Sequence, residues 1–355
     1  MESGRMVDLS PRWRNILKAG FIVLSLGLVG LGMYTLKDGL KGVSLSGLTT
    51  LWARLPAEFW GIWIGLNLVV ILVWAWRWGV ILQPLGIQAS LKNRVFARLA
   101  GFGWSYFTPG PQVGGEPVQV YLISRYARVP LPLAATSVYL ERVVDGLTNF
   151  AVLLLGVMAM LFLDVEWMGG IRWFGVVTGG LLIIPALHLM LLKKGRLPLT
   201  AAVMAFSGKR GTFGKKVLLQ VSLAESYLSN FAQQHFFALV KSFLLSIFAW
   251  LLSVLEFSWL LSGLSESLSP LQVLCFLVLA RLSFLLPIPA ATGVFESAMV
   301  FAAVSLGLSP LSGIALGLTV RLRDVLLALI GVFISGRGAM TRWFDSQDLK
   351  REVVE

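Results

Sequence analysis

Two Pro- and Gly-rich stretches interrupt the apolar sequence of this 355-residue chain, at residues 106–117 and 286–296. Pro removes a backbone hydrogen-bond donor and Gly tolerates unusual dihedral angles, so each stretch predicts a break in a helix. The residues that close the two breaks are Gly114, Gly115, Glu116, Gly293 and Glu296. A helix that restarts there presents free amide groups and the positive end of its dipole. Both features suit an anionic phosphate group.

Charged residues inside apolar sequence are the second group that could do chemistry, because each costs roughly 2.5–3.5 kcal/mol at the centre of a spanning helix. They are Arg98, Glu141, Arg142, Asp145, Glu256, Arg281, Arg321, Arg323 and Asp324. We expect Arg142, Arg281 and Arg321 to attract the phosphate of a lipid headgroup, with the acids orienting them. The alternative is a structural ion pair, because Arg142 and Asp145 can meet on one helix.

Three carboxylates have two possible roles each. Glu116 and Glu296 stand where a helix begins, so they either stabilise the helix dipole or take part in proton coupling. Glu256 has no obvious partner nearby in the sequence, which favours protonation or a bond to another helix. We therefore assign possible proton coupling to Glu256 and Glu296.

The composition defines the class of protein that must position these residues. Hydrophobic residues make up 57% of the chain and charged residues only 14%, which predicts a polytopic membrane protein. The net charge of +12 collects in short loops beside apolar spans, as in cytoplasmic loops, so no nucleic-acid partner is expected. The single Cys275 and the isolated His188 and His235 predict no disulfide, no metal site and no cofactor.

The pattern predicts an all-α fold with about six full spans and two Pro/Gly-broken re-entrant hairpins. The expected spans are residues 17–36, 59–76, 133–163, 173–192, 236–261 and 311–335. After the second span, Arg77, Lys92, Arg94 and Arg98 with no acid among them predict the inside face of the membrane. Residues 193–235 should form a basic cytoplasmic loop and an amphipathic surface helix, with Leu228 on its apolar stripe and Glu225 on its polar side. The basic ends predict cytoplasmic termini and a location in the plasma (inner) membrane.

These elements predict an inverted repeat. Residues 1–170 and 171–340 each hold two spans, a broken hairpin and a span, the first starting inside and the second outside, and residues 341–355 form a cytoplasmic tail. Ala97-Arg98-Leu99 precedes the first break and Ala280-Arg281-Leu282 the second. Matching breaks in two halves indicate the binding site of a transporter. A chance match of short Pro/Gly strings is the alternative explanation.

Three stretches of the chain are Pro-Gly-Pro-Gln-Val-Gly-Gly-Glu116, Glu141-Arg-Val-Val-Asp145 and residues 286–296. With these stretches the chain resembles the membrane part of lysylphosphatidylglycerol synthases, a family of flippase-like integral membrane proteins. The resemblance covers nearly the whole chain and implies movement of a polar lipid between leaflets. In this family, only members with an additional soluble domain make aminoacylated lipid. Some relatives occur beside glycosyltransferases, which implies a polyprenyl-linked sugar lipid as another ligand and a synthase or glycosyltransferase as a possible partner.

The leading hypothesis is therefore a lipid transporter with the membrane lipid as ligand. The second is an intramembrane transferase on a lipid-linked substrate, with Glu116, Glu141 or Glu296 as base. The third is an accessory membrane subunit of a synthase. The sequence has no phosphate-binding loop, nucleophile elbow or zinc-protease motif, so catalytic residues are not expected. It does not indicate the oligomeric state.

Overall fold

The computed structural model describes residues 45–108, 114–162, 171–207, 212–264, 268–285 and 288–338, and every regular element in these ranges is a helix. In chain order they are α1 (Leu45–Ala53), α2 (Ala57–Leu82), α3 (Leu91–Phe107), α4 (Glu116–Ala127), α5 (Leu131–Phe162), α6 (Ile171–Lys193), α7 (Pro198–Ser207), α8 (Thr212–Gln234), α9 (Phe236–Leu264), α10 (Pro270–Ser283), α11 (Val294–Ser305) and α12 (Pro310–Gly338). This confirms the predicted all-helical class. Within these ranges α2, α5 and α9 are long and apolar enough to cross a bilayer.

Several predicted features lie outside the described residues. They are the first span at 17–36, the Pro-rich parts of the two breaks at 109–113 and 286–287, and the tail at 341–355. Both chain termini, whose cytoplasmic location the basic residues predicted, belong to the same undescribed parts.

Helix α2 extends to Leu82, six residues beyond the predicted end of the second span at Trp76. Arg77 therefore lies inside the helix and is fully buried, so its predicted place after the end of the span was wrong. The helix can continue through this charge because carboxylates from another helix neutralise it. Local sequence gives no sign of such a partner, and an arginine after an apolar run is usually interpreted as the start of a loop.

Two pairs of short helices flank the predicted breaks. The first pair is α3 and α4, and α4 begins at Glu116 as the sequence predicted. The second pair is α10 and α11, joined in part by a 3₁₀ turn at Pro289–Ala291. Ala290 and Ala291 have φ angles of 53° and 49°, a left-handed conformation that is costly for a residue with a Cβ. Such strain persists only where the surroundings stabilise it.

The two pairs pack across the molecule. Helix α3 lies against α12, α10 lies against α5, and α2 lies against α9. Glycines make the first contact close, because a Cβ at Gly331 would lie 1.9 Å from the backbone oxygen of Leu99. The second contact is also tight, since a Cβ at Gly156 would lie 1.9 Å from a methyl group of Val278. Backbones packed this closely fix the arms of both pairs relative to the long helices.

The segment that was predicted to hold a loop and one surface helix contains two helices, α7 and α8. Leu228 and Phe231 of α8 are buried, as their apolar spacing indicated. Glu225 is also buried, so its placement on the polar side was wrong. Its carboxylate oxygens accept the backbone N–H groups of Leu199 (2.8 Å) and Thr200 (2.7 Å) at the start of α7. A carboxylate that caps a helix N-terminus is stabilised by free amides and by the dipole, which explains its burial.

Candidate functional site

A cavity of about 350 Å³ lies between α2, α3, α5, α9, α10 and α12, and α4 and α11 contribute one lining residue each, Gln119 and Phe295. Most of its lining is aromatic or aliphatic. Its ionisable residues are Arg98, Arg142, Asp145, Glu256, Arg281, Arg323 and Asp324, which is four guanidinium groups against three carboxylates. A mostly apolar cavity with a few convergent polar groups is typical of a ligand site.

The first group of charges at this cavity is centred on Arg77, and we call Arg77, Arg98, Glu141 and Asp145 the Arg77 cluster. Arg77 donates to Glu141 at 2.9 Å and to Asp145 at 2.5 Å. Arg98 donates to Glu141 at 2.5 Å. Arg77 also donates to the Ser246 hydroxyl on α9 at 2.7 Å. The cluster thus joins α2, α3, α5 and α9 through charge-assisted hydrogen bonds, which are the strong ones in a buried setting.

The second group is centred on Glu256 of α9, and we call Glu256, Arg323, Asp324, Asn67 and Trp63 the Glu256 cluster. The carboxylate accepts from Trp63 Nε1 at 3.0 Å, from Asn67 Nδ2 at 3.2 Å and from Arg323 Nη1. Arg323 also contacts Asp324 at 2.9 Å. Of the two alternatives for Glu256, the structure therefore gives a bond to other helices, namely α2 and α12.

Glu116 connects the start of α4 to α5. Its Oε2 accepts the Gly114 N–H at 2.7 Å, and its Oε1 lies 3.0 Å from Arg142 Nε. Arg142 also lies 3.6 Å from Asp145, the pair that the sequence spacing predicted. The Gly115 N–H donates to the Ser105 hydroxyl at 2.9 Å. The Gly114 and Gly115 amides before this helix are therefore occupied by the protein's own acceptors.

Glu296 makes the corresponding connection between α11 and α12. It accepts the Gly293 N–H at 2.8 Å and forms an ion pair with Arg321 Nε at 2.6 Å. Arg321 also donates to the Tyr106 hydroxyl at 2.8 Å and to the carbonyl oxygen of Ala290. These bonds compensate the left-handed backbone at Ala290. The same bonds engage N–H donors of Arg321 that were expected to attract a phosphate.

Arg281 differs from the other cavity arginines. It makes no hydrogen bond or ion pair with any described residue, and its guanidinium carbon lies 4.7 Å from the centre of the Trp250 ring. Arg98 has a similar aromatic neighbour, Trp74, at 5.2 Å, but Arg98 is neutralised by Glu141. The indole face orients a guanidinium without cancelling its charge. Asp145 and Asp324 attract the guanidinium only from beyond ion-pair distance. Within the described residues, the N–H donors of Arg281 are therefore available to a ligand.

The residues predicted from the sequence fall into two sets. Those that line the cavity are Arg98, Arg142, Asp145, Glu256, Arg281 and Asp324. Those that do not line it are Gly114, Gly115, Glu116, Glu141, Gly293, Glu296 and Arg321, which bond to neighbouring helices or close the helix starts. The sequence did not mark Arg77, Asn67, Trp63, Trp74, Tyr106 or Trp250 as residues of the site. Contacts such as Trp63 to Glu256 and Arg77 to Glu141 join residues far apart in the chain, so local spacing did not indicate them.

Apolar helices long enough to span a bilayer, arranged around a charged cavity, define a multi-pass integral membrane protein. Comparison with known families places it more closely. The chain belongs to the family described as the lysylphosphatidylglycerol synthase TM region, whose model matches residues 20–331.

Two UPF0104 membrane proteins are similar to it. The UPF0104 membrane protein MJ1595 of Methanocaldococcus jannaschii is 24% identical over 278 residues, which cover 76% of this chain and 81% of that protein. A UPF0104 membrane protein of Methanothermobacter thermautotrophicus is 24% identical over 132 residues, or 36% of this chain and 37% of that protein. No solved structure matches the chain.

Proposed function

We propose that this protein is a flippase-like lipid transporter that moves a lipid with a polar or anionic headgroup, phospho- or polyprenyl-linked, between leaflets by alternating access. The observation that carries the proposal is the cavity itself. It holds seven ionisable side chains inside a bundle whose outer surface is apolar. Charged side chains inside a membrane-spanning bundle are costly, so their presence indicates a structural or a transport role. The free N–H donors of Arg281 favour transport, because a purely structural arginine would form a direct ion pair.

The inverted repeat of residues 1–170 and 171–340 is part of this proposal. Its support is a set of matching contacts. Helix α3 packs on α12 as α10 packs on α5, so the first arm of each broken pair contacts the long helix that follows the other pair. Glu116 pairs with Arg142 as Glu296 pairs with Arg321. A two-fold relation between the repeats accounts for both correspondences.

The contact between α2 and α9 supports the same relation. Asn67 bonds Glu256, and Arg77 bonds Ser246, so the register runs in opposite directions along the two helices. The two contacts are ten residues apart on each helix, or roughly 15 Å. The Arg77 cluster and the Glu256 cluster therefore lie at different levels along one helix pair. In an alternating-access transporter, such clusters would close the cavity toward opposite sides in turn.

The proposed path keeps the acyl chains in the bilayer while the headgroup enters the cavity. Phosphate oxygens would meet the guanidinium groups of Arg281 and Arg142, which bind them at lower desolvation cost than ammonium groups would. Helices α3 and α10 of the re-entrant hairpins would move together with the long helices α12 and α5 on which they pack. Proton coupling through Glu256 or Glu296 would require breaking their pairs with Arg323 and Arg321.

The transport proposal is tested by reconstitution into liposomes that contain acyl-labelled phosphatidylglycerol, with a membrane-impermeant quencher added outside. In protein-free vesicles the quencher reaches only the label in the outer leaflet, which is about half of the total. With the wild-type protein it should quench more than half of the label within minutes. Arg281→Ala and Arg142→Ala should slow this movement by about tenfold or more, since each removes a charge-assisted contact to phosphate. An unchanged rate of lipid movement in both variants would contradict the proposal.

The same vesicles separate the other functions. A covalent lipid product detected by mass spectrometry, without movement, would favour the transferase with Glu116, Glu141 or Glu296 as base. Neither product nor movement would favour an accessory subunit that works with a synthase or glycosyltransferase. Lys241→Ala serves as a control, because Lys241 is an exposed cation that does not line the cavity.

A further inference from the structure

We infer that the cavity holds an anion subsite in the second repeat, where Arg281 binds a phosphate group. Arg281 can do so because Val320 occupies the position at which the first repeat has a neutralising carboxylate. This inference rests on the proposed function, since it uses the correspondence between the two repeats. It goes further by assigning the anion to one arginine and by naming the residue that keeps this arginine unpaired.

The register between α5 and α12 identifies the position. Arg142 pairs with the glutamate that opens α4, and Arg321 pairs with the glutamate that opens α11. An aspartate follows each arginine by three residues, at Asp145 and Asp324, and both aspartates line the cavity. The residue before Arg142 is Glu141, and the residue before Arg321 is Val320. The correspondence therefore pairs an acid in the first repeat with an apolar residue in the second.

The arginines of the two broken pairs show the consequence. Arg98 and Arg281 occupy the same place in the Ala-Arg-Leu sequences, and each lies over a tryptophan, Trp74 or Trp250. Arg98 has Glu141 at 2.5 Å. Arg281 has no such neighbour among the described residues. Val320 lines the cavity in its stead.

The surrounding acids do not replace the missing carboxylate. Asp145 is held by Arg77 at 2.5 Å, and Asp324 is held by Arg323 at 2.9 Å. Glu256 is bonded to Arg323 as well. Each cavity carboxylate thus forms its direct ion pair with another arginine, and Asp145 and Asp324 act on Arg281 only from a longer distance. The planar donors of Arg281 remain free for a phosphate, which a guanidinium can bind through two parallel hydrogen bonds.

The inference is tested by binding to the full-length protein in detergent, where no transbilayer movement is needed. The probes are dioctanoyl phosphatidylglycerol, dioctanoylglycerol as the matched lipid without phosphate, and inorganic phosphate. The wild-type protein should prefer the phosphate-containing lipid by about tenfold or more. Val320→Glu should abolish this preference, because the new carboxylate pairs with Arg281. Val320→Gln, which has nearly the same shape without the charge, should keep affinity within about threefold.

Arg281→Gln and Arg281→Lys provide a second comparison that does not depend on adding a buried acid. The glutamine variant should lose the preference, and the lysine variant should retain part of it. Competition by inorganic phosphate would assign the subsite to free phosphate, and its absence would assign it to the lipid headgroup. Both results keep Arg281 as the anion ligand.

Equal affinity of Val320→Glu and Val320→Gln for dioctanoyl phosphatidylglycerol would overturn the inference. An unchanged preference of Arg281→Gln for this lipid over dioctanoylglycerol would overturn it too. Failure of this inference and failure of the transport proposal are distinguishable. Binding without movement in liposomes would contradict transport alone. Movement with no contribution from Arg281 to binding would contradict the subsite alone.

Discussion

Replacing Arg77 by methionine is expected to destabilise the protein so strongly that little of it folds. Arg77 is fully buried and bonds both Glu141 and Asp145, so its loss leaves these two carboxylates with only Arg98 and Arg142, which are themselves partly exposed, to offset their charge. Removing one partner from a buried ion pair typically costs about 3–5 kcal/mol, because the remaining charge is uncompensated. The yield of monodisperse protein and its thermal midpoint in detergent, measured by size-exclusion chromatography after heating, should both fall sharply.

Two controls show whether charge is the cause. Arg54→Ala removes an exposed arginine and should leave the thermal midpoint unchanged. Adding Glu141→Gln and Asp145→Asn to Arg77→Met should recover part of the lost stability, because the stranded charges are then gone. A variant with methionine at position 77 that is as stable as the wild type would show that the Arg77 cluster does not hold α2, α5 and α9 together.

Gly331→Ala is expected to have the next largest effect. The added Cβ would lie 1.9 Å from the backbone oxygen of Leu99, and a backbone cannot move aside as a flexible side chain can. Overpacking of this kind costs about 1–3 kcal/mol and sometimes more. Helices α3 and α12 would have to separate, which should lower the thermal midpoint and loosen the wall that carries Arg98.

Gly65→Ala is the matched control, because it is also a glycine in a long helix but has nothing within 4 Å of the added Cβ. It should be neutral or stabilising, by up to about 1 kcal/mol, since alanine is the better helix former. Equal thermal midpoints for the two alanine variants would contradict a close contact between α3 and α12.

Local chemistry made part of the fold predictable. Pro and Gly followed by a carboxylate predicted helix starts, and the structure begins helices at Glu116 and Val294. The spacing of Arg142 and Asp145 predicted an ion pair within one helix, and the two groups lie 3.6 Å apart. These features depend on neighbours within a few residues, which a single sequence displays directly.

The candidate site was less predictable, because its bonds join distant parts of the chain. Arg77 reaches Glu141 across 64 residues, and Trp63 reaches Glu256 across 193. An arginine after an apolar run follows the pattern of a loop, and only packing shows that it is buried. For the same reason Glu256 looked unpartnered in the sequence. Local spacing therefore identified the charges correctly and could not assign their partners.

The central claim is that the two repeats enclose one cavity with charged side chains, which opens to each side of the membrane in turn. Asn149 lines this cavity and takes no part in the Arg77 or Glu256 clusters. We would place a single cysteine there, Asn149→Cys, after removing the native thiol with Cys275→Ala. Leu155→Cys on the same helix is the control, because Leu155 is 57% exposed on the outer apolar surface.

The measurement is labelling by a membrane-impermeant maleimide, supplied in separate samples outside the vesicles or trapped in their lumen, with protein of uniform orientation. Alternating access predicts that the cysteine at position 149 reacts from both sides, while the cysteine at position 155, which faces lipid, reacts from neither. Labelling of position 149 from one side alone, or from neither side, would contradict the account.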